Sequence, residues 1–128
     1  MQKIKISSGS PLESPIGFSR AIRNGNYIAI AGTAAINPDG TTACLGDLYG
    51  QTKFCLEIIK RAIADAGGSL EDIVRTRIIL TDISRWKEAA KAHGEYFSNI
   101  RPACTFMEVN RFISEEWLIE IEADCVLS

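Results

Sequence analysis

Trp117-Leu-Ile-Glu-Ile-Glu-Ala-Asp-Cys-Val126 is the most regular stretch of the chain. Ile119, Ile121, Ala123 and Cys125 alternate with Glu120, Glu122 and Asp124. Successive side chains of a strand point to opposite faces, so the stretch predicts a strand with one apolar and one acidic face. A row of carboxylates needs water or counter-charges. Ile73-Val-Arg-Thr-Arg-Ile-Ile-Leu80 offers the latter, because its residue types predict a strand and Arg75 and Arg77 then share a face. Between these two lies Arg101-Pro-Ala-Cys-Thr-Phe-Met-Glu-Val-Asn110. Pro102 breaks the preceding helix, and a period of two follows. Thr105, Met107 and Val109 fall on one face, and Cys104, Phe106, Glu108 and Asn110 on the other.

Two helical patterns interrupt the strands. Asp47 can cap a helix that runs to about Ala66 and stops at Gly67-Gly68. Leu48, Thr52, Cys55, Ile59, Ala62 and Ala66 recur at helical spacing and form one inward stripe. A second helix, capped by Asp82 or Ser84, extends to about Phe97 with Trp86, Ala89 or Ala90, His93 and Phe97 inward. Nearer the start, residues 2–6 alternate and predict a short strand, and the serine-rich stretch Ser7 to Gly17 reads as a loop. Phe18 to Arg23 and Tyr27 to Ala31 flank Asn24-Gly25-Asn26 and predict a hairpin, which Gly32 ends. Asn37-Pro38-Asp39-Gly40 is a further turn. The order is β-β-β-α-β-α-β-β, without repeats. It predicts an α+β fold: a six-stranded mixed sheet in two layers, with two helices packed on one face.

Composition narrows the function. The 128 residues, 46% hydrophobic and 23% charged, predict one globular domain over 1–128. A net charge of -2 argues against nucleic acid as a partner, since phosphate backbones need concentrated basic surface. No apolar run approaches the roughly 18 residues of a membrane span. Met1-Gln2-Lys3-Ile4-Lys5-Ile6 lacks a signal peptide's apolar centre, so a cytoplasmic location and reduced thiols are expected. Cys44, Cys55, Cys104 and Cys125 are widely spaced beside a single histidine, a pattern that predicts no metal site. Each cysteine reads as a small apolar side chain, with Cys104 the least typical.

Two helices leave one sheet face uncovered. That face is expected to carry Glu108, Glu120, Glu122 and Asp124 against Arg75 and Arg77, with Phe106 and Leu118 nearby. Paired charge mixed with apolar groups predicts burial against other copies of the chain in a closed oligomer.

Several segments resemble the YjgF/RidA family of reactive-intermediate deaminases: Gly25-Asn26-Tyr27-Ile-Ala-Ile-Ala-Gly32, Asp72-Ile-Val-Arg-Thr-Arg-Ile-Ile-Leu-Thr-Asp82, Arg101-Pro-Ala-Cys-Thr-Phe-Met-Glu-Val109 and Ile119-Glu-Ile-Glu-Ala123. The resemblance spans about Ser14 to Val126 and implies a chorismate-mutase-like fold. It also implies a homotrimer with small-metabolite sites between subunits. The implied activity is hydrolysis of enamines and imines, such as 2-aminoacrylate, to a 2-keto acid and ammonia, with no metal or organic cofactor. The family's positioning carboxylate matches Glu120, on the strand expected to neighbour Arg101–Asn110. Its strand-ending glycine matches Gly32, and its N-terminal tyrosine matches Phe18, which keeps the ring and loses the hydroxyl.

The resemblance implies one departure. Deaminating members carry an arginine directly after Pro-Ala, and here that position is Cys104. A thiol does not replace a planar bidentate guanidinium, and losing such a buried contact costs about 2–5 kcal/mol. Arg20, two residues from Phe18 and so on the same face, and Arg101, at the rim, are candidate replacements or else salt-bridge partners. Cys104 is either a nucleophile activated by these arginines or a bystander, with His93 on the preceding helix rather than placed as its base. Two readings follow. The chain is an imine hydrolase in which Glu120 orients water, or a trimer that binds a metabolite without turning it over. Ribonuclease chemistry, sometimes attached to this family, would need a basic stripe, a cluster of acids with metal-site character or paired histidines, and the sequence has none of these.

Overall fold

The computed structural model describes residues 3–128. Six strands, β1 (Lys3–Ile6), β2 (Ala21–Asn24), β3 (Tyr27–Thr33), β4 (Ile73–Leu80), β5 (Ala103–Glu108) and β6 (Ile119–Val126), form one sheet in the order β1-β2-β3-β6-β4-β5. The expected first strand began at Gln2, which lies outside the described residues. Two long helices, α2 (Leu48–Asp65) and α3 (Trp86–Phe97), cover one face, and a short helix α1 (Glu13–Ile16) precedes β2. The α+β sheet-and-helix architecture therefore stands as the patterning predicted.

The connections explain the layering. β4 and β5 are parallel, whereas β6 runs antiparallel to both of its neighbours, β3 and β4. Parallel neighbours need a crossover. α3 makes the one from β4 to β5, and α2 makes the one from β3 to β4, around β6. Both helices lie against the same apolar face, where Cys55, Ile59, Ala89 and Phe97 join Ile78, Ile119 and Ile121 in one core. The predicted α2 stripe is buried throughout, and Asp47 caps its helix by accepting from Gly50 N at 2.9 Å. In α3, Ala89, Ala92 and Phe97 face inward, while Trp86 at the first turn is 46% exposed.

Three expectations change. The stretch read as a loop contains α1, closed by Gly17 in the left-handed region at φ 88°. Glu13 opens that helix and is buried, because its carboxylate accepts from Ser8 N, Ser8 Oγ and Ser10 N at 3.0, 2.9 and 3.3 Å. Periodicity does not register a loop folded around one acid. Second, β5 is an edge strand beside β4, so β6, with Glu120, is not its neighbour. Third, Glu108, Phe106 and Leu118 leave the uncovered face. Phe106 pairs in register with buried Ile78 and meets Trp86 edge-on at 6.2 Å between ring centres. Glu108 pairs with Leu80 and accepts from Ile83 N at 2.9 Å, and Leu118 packs against the core. A period of two cannot say which face of an edge strand meets the helices.

The remaining charges meet as expected on the uncovered face. Arg77 contacts Glu122 at 3.6 Å and Asp124 at 3.3 Å, Arg75 reaches Asp124 at 3.8 Å, and Tyr27 donates to Asp124 at 2.8 Å. Ile79 and Met107 supply apolar surface among them.

The core makes a direct prediction. Ile121 is 0% exposed at the centre of the sheet, so Ile121→Ala should cost about 2–5 kcal/mol in denaturant unfolding. A loss under about 1 kcal/mol would contradict this packing.

Candidate functional site

A bulge in β3 shapes the site. Ile30 pairs with Ala123 and Thr33 with Ile121, so Ala31 and Gly32 together oppose the single residue Glu122. The extra residue resets the alternation. Thr33 turns inward and is 1% exposed, while Gly32 comes to lie beside Glu120 of β6. A Cβ on Gly32 would sit 2.7 Å from Glu120 Oε1, so the carboxylate occupies the space a side chain would take. The freed Gly32 carbonyl accepts from Arg20 Nη1 at 2.6 Å.

Arg20 approaches from the start of β2. Its backbone bridges both neighbours, donating to Ile6 O at 2.8 Å and accepting from Ala31 N at 2.9 Å. The side chain is 4% exposed and held by Ser8 Oγ on Nε at 3.1 Å and Thr33 Oγ1 on Nη1 at 3.2 Å. The Phe18 ring lies 5.1 Å from the guanidinium carbon, within reach of a cation–π contact. Among the described residues, no buried side-chain nitrogen or oxygen is left unpaired. Nη2 has no protein acceptor there, so it opens onto the adjoining cavities.

Four of the candidate residues thus line one cleft: Phe18, Arg20, Gly32 and Glu120. The cleft encloses about 60 Å³, and Trp117 and Ile113 also line it. Glu120 has no hydrogen bond or direct ion pair among the described residues, and its carboxylate meets this space. Burial raises its pKa above the ordinary value, the positive charge of Arg20 partly offsets that rise, and Glu122 adds to it. Burial lowers the pKa of Arg20, against the opposing pull of Glu13 and then Glu120. An arginine keeps its proton under such a shift. The cleft therefore joins a fixed cation to a carboxylate readied to exchange a proton, in a space that admits water.

Cys104 and Arg101 lie away from this cleft. Cys104 is exposed on edge strand β5, in register with Thr76, and so on the helix-covered side. β4 separates it from β6, roughly 10 Å away at ordinary strand spacing. Thr76 Oγ1 lies 2.9 Å from His93 Nε2, so the histidine is one side chain removed from Cys104, closer than the sequence suggested. Burial lowers the His93 pKa, and its ring packs 4.5 Å from that of Phe97. Arg101 has a positive φ of 56°, and its amide donates to Phe97 O at 2.8 Å, finishing α3. Its side chain is exposed.

The sequence reading passed over other wall residues. Trp117 looked like the first residue of β6, but it precedes the strand and is 7% exposed against the cleft. A bulky aromatic directly before an acidic strand was the available signal. Ile16, Ile113 and Ser10 had none, since they come from short or irregular segments.

Glu120 gives a pH-dependent prediction. A raised folded pKa means that the folded state holds this proton more tightly than the unfolded chain does. Ionised Glu120 therefore weighs against folding at pH 7, and that cost disappears below the unfolded value of about 4.3. Glu120→Gln should be more stable than the parent at pH 7 in urea unfolding, with the difference closing toward pH 4. A variant less stable at pH 7 would contradict this electrostatic picture.

Comparison with known proteins agrees with this geometry. The family described as Endoribonuclease L-PSP matches residues 10–127. A RutC family protein of Pyrococcus abyssi is 38% identical over 110 residues, covering 85% of this chain and 86% of its own. The 3-aminoacrylate deaminase RutC of Acinetobacter baylyi is 31% identical over 121 residues, 94% of each chain. A crystal structure from Mycobacterium tuberculosis, a member of the YjgF/YER057c/UK114 family, superposes with a TM-score of 0.89 at 40% identity, covering 98% of this chain and all of that one. With the sheet order, the bulge and the cleft in place, these matches show that the chain belongs to the endoribonuclease L-PSP family, the YjgF and RutC group that its sequence resembled.

Proposed function

We propose that this protein binds a small imine or enamine that carries a carboxylate and hydrolyses it to a 2-keto acid and ammonia. One observation carries the reading: a Glu120 carboxylate without a partner among the described residues shares a cleft with a buried arginine whose Nη2 also has none there. The cation holds the substrate's carboxylate, and Glu120 orients a water toward the C=N carbon. Water oxygen bonds to that carbon and gives up a proton to Glu120. That proton passes to nitrogen to give a carbinolamine; its hydroxyl proton then also moves to nitrogen by way of Glu120 as the C–N bond breaks, C=O forms and ammonia leaves. An enamine first takes a proton on carbon and gives one up from nitrogen to become the imine. A carboxyl with a raised pKa suits both transfers. The deaminase named among the relatives acts on 3-aminoacrylate, an enamine, which supports the same class here.

Assembly belongs to the same proposal. The charged and apolar face around Arg75, Arg77, Ile79 and Met107 suits packing against other copies in a homotrimer. The family resemblance supports sites between subunits, in which the β5 edge of one subunit, with Cys104 and Arg101, would complete the cleft of the next. Cys104 then stands where the family resemblance expects an arginine, and Arg20 provides the positive charge instead. Cys104 also favours a second reading, a trimer that binds the metabolite without turnover.

Ammonia release from freshly generated 2-aminoacrylate and bulkier imino acids separates these readings. The parent should release ammonia above background, and Glu120→Gln should be slower by about 10²–10⁴-fold. No release by the parent, with release by Cys104→Arg, would favour the non-catalytic reading. Undiminished Glu120→Gln activity would remove Glu120 from the mechanism.

A further inference from the structure

Two cavities meet at Arg20. A second space of about 110 Å³ adjoins the Glu120 cleft, and the two share Ser10, Arg20, Ala34 and Ile36. Most polar groups on the shared wall are already bonded within the protein. Arg20 Nε is held by Ser8 and Nη1 by Gly32 and Thr33, and the Thr33 hydroxyl donates to Ala31 O at 2.8 Å. Ser10 differs. Its Oγ accepts from Leu12 N at 3.3 Å, and its own hydrogen has no acceptor among the described residues. The wall therefore presents two unused donors, Arg20 Nη2 and the Ser10 hydroxyl, a pair suited to one carboxylate.

Apart from Glu120, the rest of the cleft lining is apolar. Leu12, Ile36 and Trp117 line it, and Ile16 and Ile113 form the rim at 57% and 74% exposure. Both isoleucines line the cleft and keep large apolar surfaces exposed. A substrate with only a methylene or methyl beyond its imine carbon would leave them in water. One with a longer apolar side chain would cover them.

We propose that the site selects 2-imino acids with a branched aliphatic or aromatic side chain. The substrate carboxylate lies on Arg20 Nη2 and Ser10 Oγ, and its side chain lies between Ile16, Ile113 and Trp117. The inference rests on the binding mode proposed above and adds the side-chain class and Ser10 as a binding residue. A second carboxylate on the side chain would meet apolar wall and the nearby charge of Glu120, so acidic imino acids bind poorly.

Stable 2-oxo acids, which keep the carboxylate and the trigonal carbon, test this by calorimetric titration of the purified protein. Across pyruvate, 2-oxobutanoate, 4-methyl-2-oxopentanoate and phenylpyruvate, affinity should rise about fourfold for each added methylene that becomes buried. The acidic 2-oxoglutarate should bind more weakly than 4-methyl-2-oxopentanoate. Ile113→Ser should flatten the series without moving the thermal midpoint, because the residue is so exposed. Ser10→Ala should weaken every member by about tenfold or more. A flat series in the parent overturns the side-chain inference and leaves the binding mode intact, and so does a gradient that survives Ile113→Ser. Unchanged affinities in Ser10→Ala remove the proposed carboxylate seat. If no 2-oxo acid binds, the binding mode itself fails.

Discussion

The hydrogen bond from Arg20 Nη1 to the Gly32 carbonyl, at 2.6 Å, is the contact on which the site depends. It ties the start of β2 to the bulge in β3 and brings a cation into a space where a charge is costly. A buried guanidinium needs hydrogen bonds for its protons and a compensating charge. Ser8, Gly32 and Thr33 supply the bonds, while Glu13 and Glu120 supply charge without touching it. Glu13 is committed elsewhere. Burial would raise its pKa, but hydrogen bonds from Ser7, Ser8 and the Ser10 amide outweigh that and hold it below the ordinary value. Among the described residues Glu120 has no such bonds, and its pKa goes the other way. Two carboxylates near one arginine are thereby set to different tasks, one structural and one facing the cleft.

The bulge connects this electrostatics to the backbone. Without the extra residue in β3, Thr33 would point outward and Gly32 inward, and the glycine would no longer adjoin Glu120. The space beside Gly32 is already taken by a carboxylate oxygen, so the glycine reflects crowding rather than backbone flexibility. Thr33, turned inward, both receives Arg20 and donates to Ala31 O. The strand irregularity, the glycine, the threonine and the arginine act as one unit.

Much of this was readable from residue order. The alternation in Trp117–Val126 places Glu120, Glu122 and Asp124 on one face, and the two-residue step from Phe18 to Arg20 puts ring and guanidinium together. Both depend only on local periodicity, which a strand or near-strand obeys. What could not be read required knowledge of neighbours. The edge position of β5 and the shift of Glu108 and Phe106 to the helix side follow from the β4–α3–β5 crossover. Helix α1 exists because Glu13 collects donors from the loop before it, a pattern with no period. Trp117, Ile16 and Ile113 converge from separate irregular segments, so no single window of sequence could show them facing one another. Cys104 and Arg101 form no part of that convergence.

The claim that Glu120 is a bond-free carboxyl facing a ligand site beside Arg20 is tested most directly by its own titration. Carbon NMR of the Glu120 carboxyl should show a pKa above the ordinary glutamate value of about 4.3. Saturating 4-methyl-2-oxopentanoate should raise it further, because a bound anion on Arg20 removes the charge that opposes the rise. An ordinary pKa that does not respond to the ligand would contradict the account.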